Sequence, residues 1–201
     1  SGSDAAGMRT IAVRDGGHWV LNGSKTFITN GGTADVAVVM AVTDRSKGKK
    51  GISAFVVPLK AAGVSVGKHE DKIGMRVSDT ASLILEDCRV GGDALLGGEG
   101  DGFIQAMEIL DGGRISIAAL AVGIGRGALD AATAYAKERR QFGKPIAAFQ
   151  AVRFKLADRA TEIQAARLLT EAAADEKDRG GKTTLLSAQA KLHASEAAVR
   201  A

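Results

Sequence analysis

The sequence predicts an α+β chain in two parts: an antiparallel, β-barrel-like domain over residues 1–97, then part of an α-helical bundle over 98–201. Three observations predict it. Residues 1–102 hold 18 glycines and 11 alanines, whereas 103–201 hold 8 glycines and 25 alanines. Alanine favours helix and glycine opposes it, so the two parts use different secondary structure. Short β-branched runs bounded by turn residues fill the first part, and apolar residues at helical spacing fill the second. No helix-length segment interrupts the strands, which argues against a doubly wound sheet.

Near the start of the chain, residues 11–14 and 18–22 flank Asp15-Gly16-Gly17, a hairpin connection. Residues 25–29 form the next strand after Gly23-Ser24. DVAVVMAVT over 35–43 is a continuous apolar run suited to a strand covered on both faces. Residues 46–50 are a basic loop, 52–59 a strand ended near Pro58, and 64–68 and 81–85 the last strands. Residues 91–102, with six glycines and three acids, read as a domain connection. The helical part opens with 103–110, and Gly112-Gly113 is expected to kink or break it. A helix over 114–140 carries Ile117, Leu120, Ile124 and Leu129 largely on one stripe. Residues 141–145 break it, 149–179 form the next helix, and Gly180-Gly181 terminate that one. A third helix starts near Thr183, and the bundle looks unfinished.

Composition excludes several functions. A content of 45% hydrophobic and 25% charged residues is that of an ordinary globular chain. No stretch is expected to reach the roughly 18 apolar residues of a membrane span. Eight aromatic residues give a poor base-stacking surface, so no nucleic-acid partner is expected. One cysteine, Cys88, excludes an internal disulfide and suits a reducing compartment, cytoplasm or mitochondrial matrix. His18, His69 and His193 lack ligand spacing, so no metal site is expected. Gly181-Lys182-Thr183 looks like the end of a phosphate loop, but Glu176 stands where the first glycine belongs. Gly123-Ile124-Gly125-Arg126-Gly127 lies inside a helical pattern and reads as close packing.

Four segments carry chemistry: residues 2–7, 22–32, 110–114 and 138–150. Alternation along a strand puts Phe27 and Thr29 on one face. A ring beside a hydroxyl suits an aromatic heterocycle, and suits a strand core equally well. Lys137, Arg139, Arg140, Lys144, Arg153, Lys155 and Arg159 fall in 23 residues against Glu138 and Asp158. This cluster suits a phosphorylated partner or a solvated basic face.

Taken in order, GSDAAG, LNGSKTFITNGGTAD, GMRVSDTASLILEDCRV, LDGGRISIAALAVG and ERRQFGKPIAAFQA resemble the acyl-CoA dehydrogenase family across essentially the whole chain. The resemblance implies bound FAD, an acyl-CoA substrate, an electron-transfer flavoprotein as electron acceptor, and a homo-oligomer sharing its FAD sites. By position it implies Ser3, Phe27 and Thr29 at the flavin, with Ser3 also near substrate. Arg139 and Gln150 then hold the adenosine-diphosphate portion of a neighbouring subunit's FAD, with Phe142 packing there, and Asp111 and Arg114 line the acyl-CoA pocket. Lys25, Arg76 and Asp79 are expected to be structural. The implied reaction is α,β-desaturation, which needs a glutamate base. The alternative position for that base, before Arg114, holds Gly113. The base is therefore expected beyond Ala201, and the chain is expected to be an internal stretch of a longer enzyme. The alternatives are a non-catalytic piece with residual flavin or CoA affinity, and a flavin oxidase or monooxygenase on the same scaffold.

Overall fold

The computed structural model of the chain describes residues 2 and 4–201. The chain divides into two compact units, Ser1–Ala106 and Met107–Ala201.

The first unit is one six-stranded sheet. Its strands are β1 (Ile11–Asp15), β2 (His18–Thr29), β3 (Val36–Val42), β4 (Ile52–Pro58), β5 (Val64–His69) and β6 (Thr80–Gly91), in the order β4-β3-β1-β2-β6-β5. Every pairing is antiparallel except β1–β3, which touches at one parallel register pair, Ile11↔Val42. The sheet is open, with β4 and β5 at its edges, so the expected barrel-like curvature does not reach closure. One face buries Ala12, Trp19, Leu21, Val39, Ala41, Phe55, Val57, Leu85, Cys88 and Val90. The Trp19 ring meets Phe55 edge-on at 5.3 Å, a favoured aromatic geometry. Cys88 is fully buried and burial pushes its thiol up, so it is a packed, inert thiol.

Two expected strands, 18–22 and 25–29, are one. Gly23 and Ser24 pair with Leu85 and Ile84, and the bulge lies next to them on β6, where Glu86 and Asp87 oppose Asn22 alone between Leu21↔Cys88 and Gly23↔Leu85. Gly23 adopts φ 141°, and a Cβ there would lie 2.8 Å from the Thr10 Cα. The position demands glycine on both counts. Within the bulge, Asp87 has φ 49°. Asn22 Nδ2 donates to Asp87 Oδ1 at 3.0 Å, and the Asp87 N–H donates to Asn22 Oδ1 at 2.8 Å. This reciprocal bond stitches the irregularity and lets β6 continue to Gly91. The strand expected over 81–85 is thus longer than its sequence bounds.

The second unit is built on α1 (Gly102–Glu138), α2 (Gln150–Asp178) and α3 (Thr184–Arg200), the first turn of α1 counting with the first unit. A small hairpin, β7 (Arg140–Gln141) with β8 (Lys144–Pro145), separates α1 from α2. Gly112-Gly113 do not break α1. The helix stripe on either side of them is long enough to carry two poor helix formers. As one unbroken helix, α1 is long and apolar enough to cross a membrane by length and composition alone, contrary to expectation. It also supplies Ile115, Ala118, Ala121 and Val122 to a core shared with Ala166, Leu169, Ala173, Leu186, Ala190, Ala194 and Ala197. Gly180, at φ 74°, ends α2 as expected. Its N–H donates to the Lys177 carbonyl at 2.9 Å and that of Gly181 to Glu176 at 2.9 Å, the paired bonds of a Schellman motif.

Gly23→Ala is expected to cost about 2–4 kcal/mol, from left-handed strain plus the contact with Thr10. Urea denaturation followed by tryptophan fluorescence of Trp19 checks it.

Candidate functional site

The sheet presents Phe27 and Thr29 at the end of β2. A second register shift lies between Lys25↔Leu83 and Ile28↔Ala81, and Phe27 sits inside it at φ 59°. Strand alternation therefore does not run through Phe27 and does not place it on one face with Thr29. The bulge instead leaves the ring 72% exposed. Thr29 is also exposed. A large apolar ring held by left-handed backbone in solvent is an expensive arrangement for a chain with no ligand to cover it. Ser3 lies outside the described residues.

The residues around this bulge are tied down. β1 begins at Ile11, opposite Asn22, and no longer flanks β2 farther along. Lys25 fills the gap: its Nζ donates to the Met40 carbonyl of β3 at 2.6 Å. Burial pushes the Lys25 amine down to about 8. Just past β2, the Gly32 N–H donates to Asp79 Oδ2 at 2.7 Å, and Asp79 Oδ1 lies 2.9 Å from His69 Nδ1. The Gly32 N–H, then His69, hold the Asp79 carboxyl below its usual range. Arg76 pairs with Asp71 at 2.6 Å and donates to the Lys72 carbonyl at 3.1 Å. Lys25, Asp79 and Arg76 thus each bond to other residues of the sheet unit.

In the helical unit, Asp111 and Arg114 meet as an ion pair one turn apart on α1. Thr184, the first residue of α3, donates its hydroxyl to Asp111 Oδ2 at 2.6 Å. Both carboxylate oxygens of Asp111 are therefore engaged. Sequence reasoning passed over Thr184, which follows the rejected Gly181-Lys182-Thr183 string; no signal in the sequence joins it to Asp111. Arg139 stands exposed between α1 and the hairpin, with no ion-pair partner among the described residues. Its carbonyl accepts the Ile146 N–H at 2.8 Å, which closes the hairpin. Phe142 sits at the hairpin tip at φ 51°, 92% exposed. Its ring meets Phe149 edge-on at 6.0 Å, and Lys144 Nζ lies 4.6 Å from the Phe149 centroid. Gln150 is exposed at the start of α2. Arg139 and Phe142 thus flank and cap the hairpin, and Gln150 follows Phe149, the aromatic partner of Phe142.

Residues 1–88 match the middle domain of acyl-CoA dehydrogenases, and residues 100–201 match the C-terminal domain. The chain belongs to the acyl-CoA dehydrogenase family. Among relatives in this family, the mitochondrial short-chain specific acyl-CoA dehydrogenase of Rattus norvegicus is 52% identical over 98% of this chain and 48% of its own length. The butyryl-CoA dehydrogenase of Megasphaera elsdenii superposes with a TM-score of 0.95 at 48% identity, over 98% of this chain and 52% of that one. A chain in the structure of the electron transferring flavoprotein of Acidaminococcus fermentans also gives 0.95, at 52% identity, over 98% of this chain and 52% of that one. The chain spans about half the length of the acyl-CoA dehydrogenases it matches.

Lys25 makes stability pH-dependent. Its amine is neutral in the fold above about pH 8, while the unfolded amine holds its proton to about 10.5. The burial penalty is full below pH 8 and is relieved as pH rises between the two values, so the fold gains stability across that window. Relative to Lys25→Met, the native protein is expected to gain about 1–3 kcal/mol from pH 8 to 10.5. Paired denaturant titrations at pH 7.5 and 10.5 measure the difference.

Proposed function

We propose that the protein carrying this chain is an FAD-dependent dehydrogenase that converts a short-chain acyl-CoA thioester to its trans-2-enoyl-CoA. The observation that carries the reading is the 52% identity, over 98% of the chain, to a relative named for short-chain acyl-CoA. The exposed residues fit such a cofactor. The ring of Phe27 offers a flat apolar face held out by its own backbone, and Thr29 offers a hydroxyl two residues on. The Arg139 guanidinium, with no competing carboxylate among the described residues, and the Gln150 amide supply donors suited to a diphosphate. Phe142 adds an apolar contact on the same hairpin. In line with the family resemblance, this hairpin serves a neighbouring subunit's FAD, which makes the working form a homo-oligomer.

When bound, FAD supplies the two-electron acceptor; the chain's task is to orient it and the thioester. Phe27 and Thr29 set the flavin's place. Asp111 and Arg114 line the acyl-CoA pocket, with Ser3 contributing to both. None of these side chains is assigned as base. Asp111 already spends its oxygens on Arg114 and Thr184, and Gly113 has no side chain. Electrons leave to an electron-transfer flavoprotein, and a reducing compartment such as cytoplasm or mitochondrial matrix suits the buried free thiol of Cys88.

The purified holoprotein is expected to be yellow, and butyryl-CoA added without oxygen is expected to bleach its flavin band. A protein that binds no flavin, or whose flavin no acyl-CoA reduces, refutes the reading. Rapid reoxidation in air, with no gain from an electron-transfer flavoprotein, would instead assign it as an oxidase. Arg139→Ala is expected to weaken FAD retention by about 1–3 kcal/mol, the scale of a charge-assisted hydrogen bond. Ultrafiltration against a dilution series, with flavin absorbance of the retentate, checks it.

A further inference from the structure

Asp111 and Arg114 bound one turn of α1 whose two middle members are glycines. No side chain at positions 112 or 113 braces either one. An ion pair between neighbours on a helix, with the arginine side chain 39% and the aspartate 25% exposed, holds weakly by itself. A third group supplies the missing constraint. Thr184 is 73 residues away in sequence and on a different helix, and its hydroxyl donates to the Asp111 oxygen at 2.6 Å. Its neighbour Thr183, at the N-cap of α3, makes no side-chain capping bond. The carboxylate of Asp111 therefore lies at a helix start, where a negative charge is favoured. One of its oxygens belongs to Arg114 and the other to α3.

We infer that Thr184 is a positioning residue for acyl-CoA binding: by holding Asp111 from α3, it fixes the Asp111–Arg114 pair in the orientation that the thioester meets. The inference rests on the reading that Asp111 and Arg114 line the substrate pocket. Its chemistry is specific. A hydroxyl that fills the second oxygen of Asp111 leaves the first for Arg114 alone, so the guanidinium has one direction in which to point. Without the hydroxyl, the carboxylate rotates about its own bond and carries the arginine with it.

Thr184→Val keeps the shape and removes the donor; Thr184→Ser keeps the donor and removes the methyl group. Both are made in the holoprotein and assayed with butyryl-CoA and an artificial electron acceptor. Thr184→Val is expected to raise KM about 10-fold, the effect of one lost hydrogen bond to a charged group, with kcat changed less. Thr184→Ser is expected to stay within about two-fold of the native KM, and flavin content is expected to match the native protein in both. The shift of the flavin spectrum on titrating crotonyl-CoA should weaken in parallel in Thr184→Val. Native KM in Thr184→Val overturns the inference. So does equal impairment in Val and Ser, which would mark a packing role. Should Thr184→Val yield no folded flavoprotein, Thr184→Ala is read by the same criteria. A native protein whose flavin no acyl-CoA reduces defeats the underlying reading, and this inference with it; a native protein that is reduced while the variants behave natively defeats the inference alone.

Discussion

The long antiparallel seam between β2 and β6 governs the first unit. Both strands run for twelve residues, and neither pairs regularly throughout. Each slip in register turns the strand and re-aims the side chains beyond it. The slip at Gly23 is held by the reciprocal Asn22–Asp87 bond and lets Leu21, Leu85 and Cys88 stay on the buried face. The slip at Phe27 sets that ring outside the sheet. A regular seam would have returned it to the alternation of its neighbours. The exposed aromatic is thus a product of strand pairing, with Lys25 and Asp79 clamping the chain on either side.

The helical unit solves a different problem. Its core is made of alanines, with almost no large side chain fully buried. The gain from each buried methyl is small. Three long helices collect many such gains while their backbones stay close. Specific polar ties then fix what packing leaves undetermined. Thr184 binds Asp111 across two helices, and Arg200 reaches Glu162 of α2 at 3.2 Å from the end of α3.

Much of this was legible from residue types. The glycine–alanine partition located the change from sheet to helices, and Gly180-Gly181 marked the end of α2, because a left-handed cap has few other solutions. Glycine was misleading where a tertiary neighbour decides its meaning. Gly23 reads as a turn until Thr10 lies against it, and Gly112-Gly113 read as a break until a long apolar stripe carries the helix past them. Phe27 was singled out by strand alternation, which the register shift between Lys25 and Ile28 interrupts, since a bulge is a property of two strands and the sequence displays one at a time. Asp111 and Arg114 came from family resemblance. Thr184 carried no mark, because the bond that gives it meaning spans 73 residues.

The alanine core has an evolutionary consequence. Ala166, Ala173, Ala190, Ala194 and Ala197 are almost wholly enclosed, and none has a rotamer to adjust. A larger residue at any of them cannot swing aside; it must push two helices apart over their length. Drift at these sites is therefore confined to glycine, serine and alanine, while exposed charged positions on the same helices, such as Arg167 and Glu171, are free to vary. Divergence within this unit should appear as a fixed row of small residues set in a changing surface.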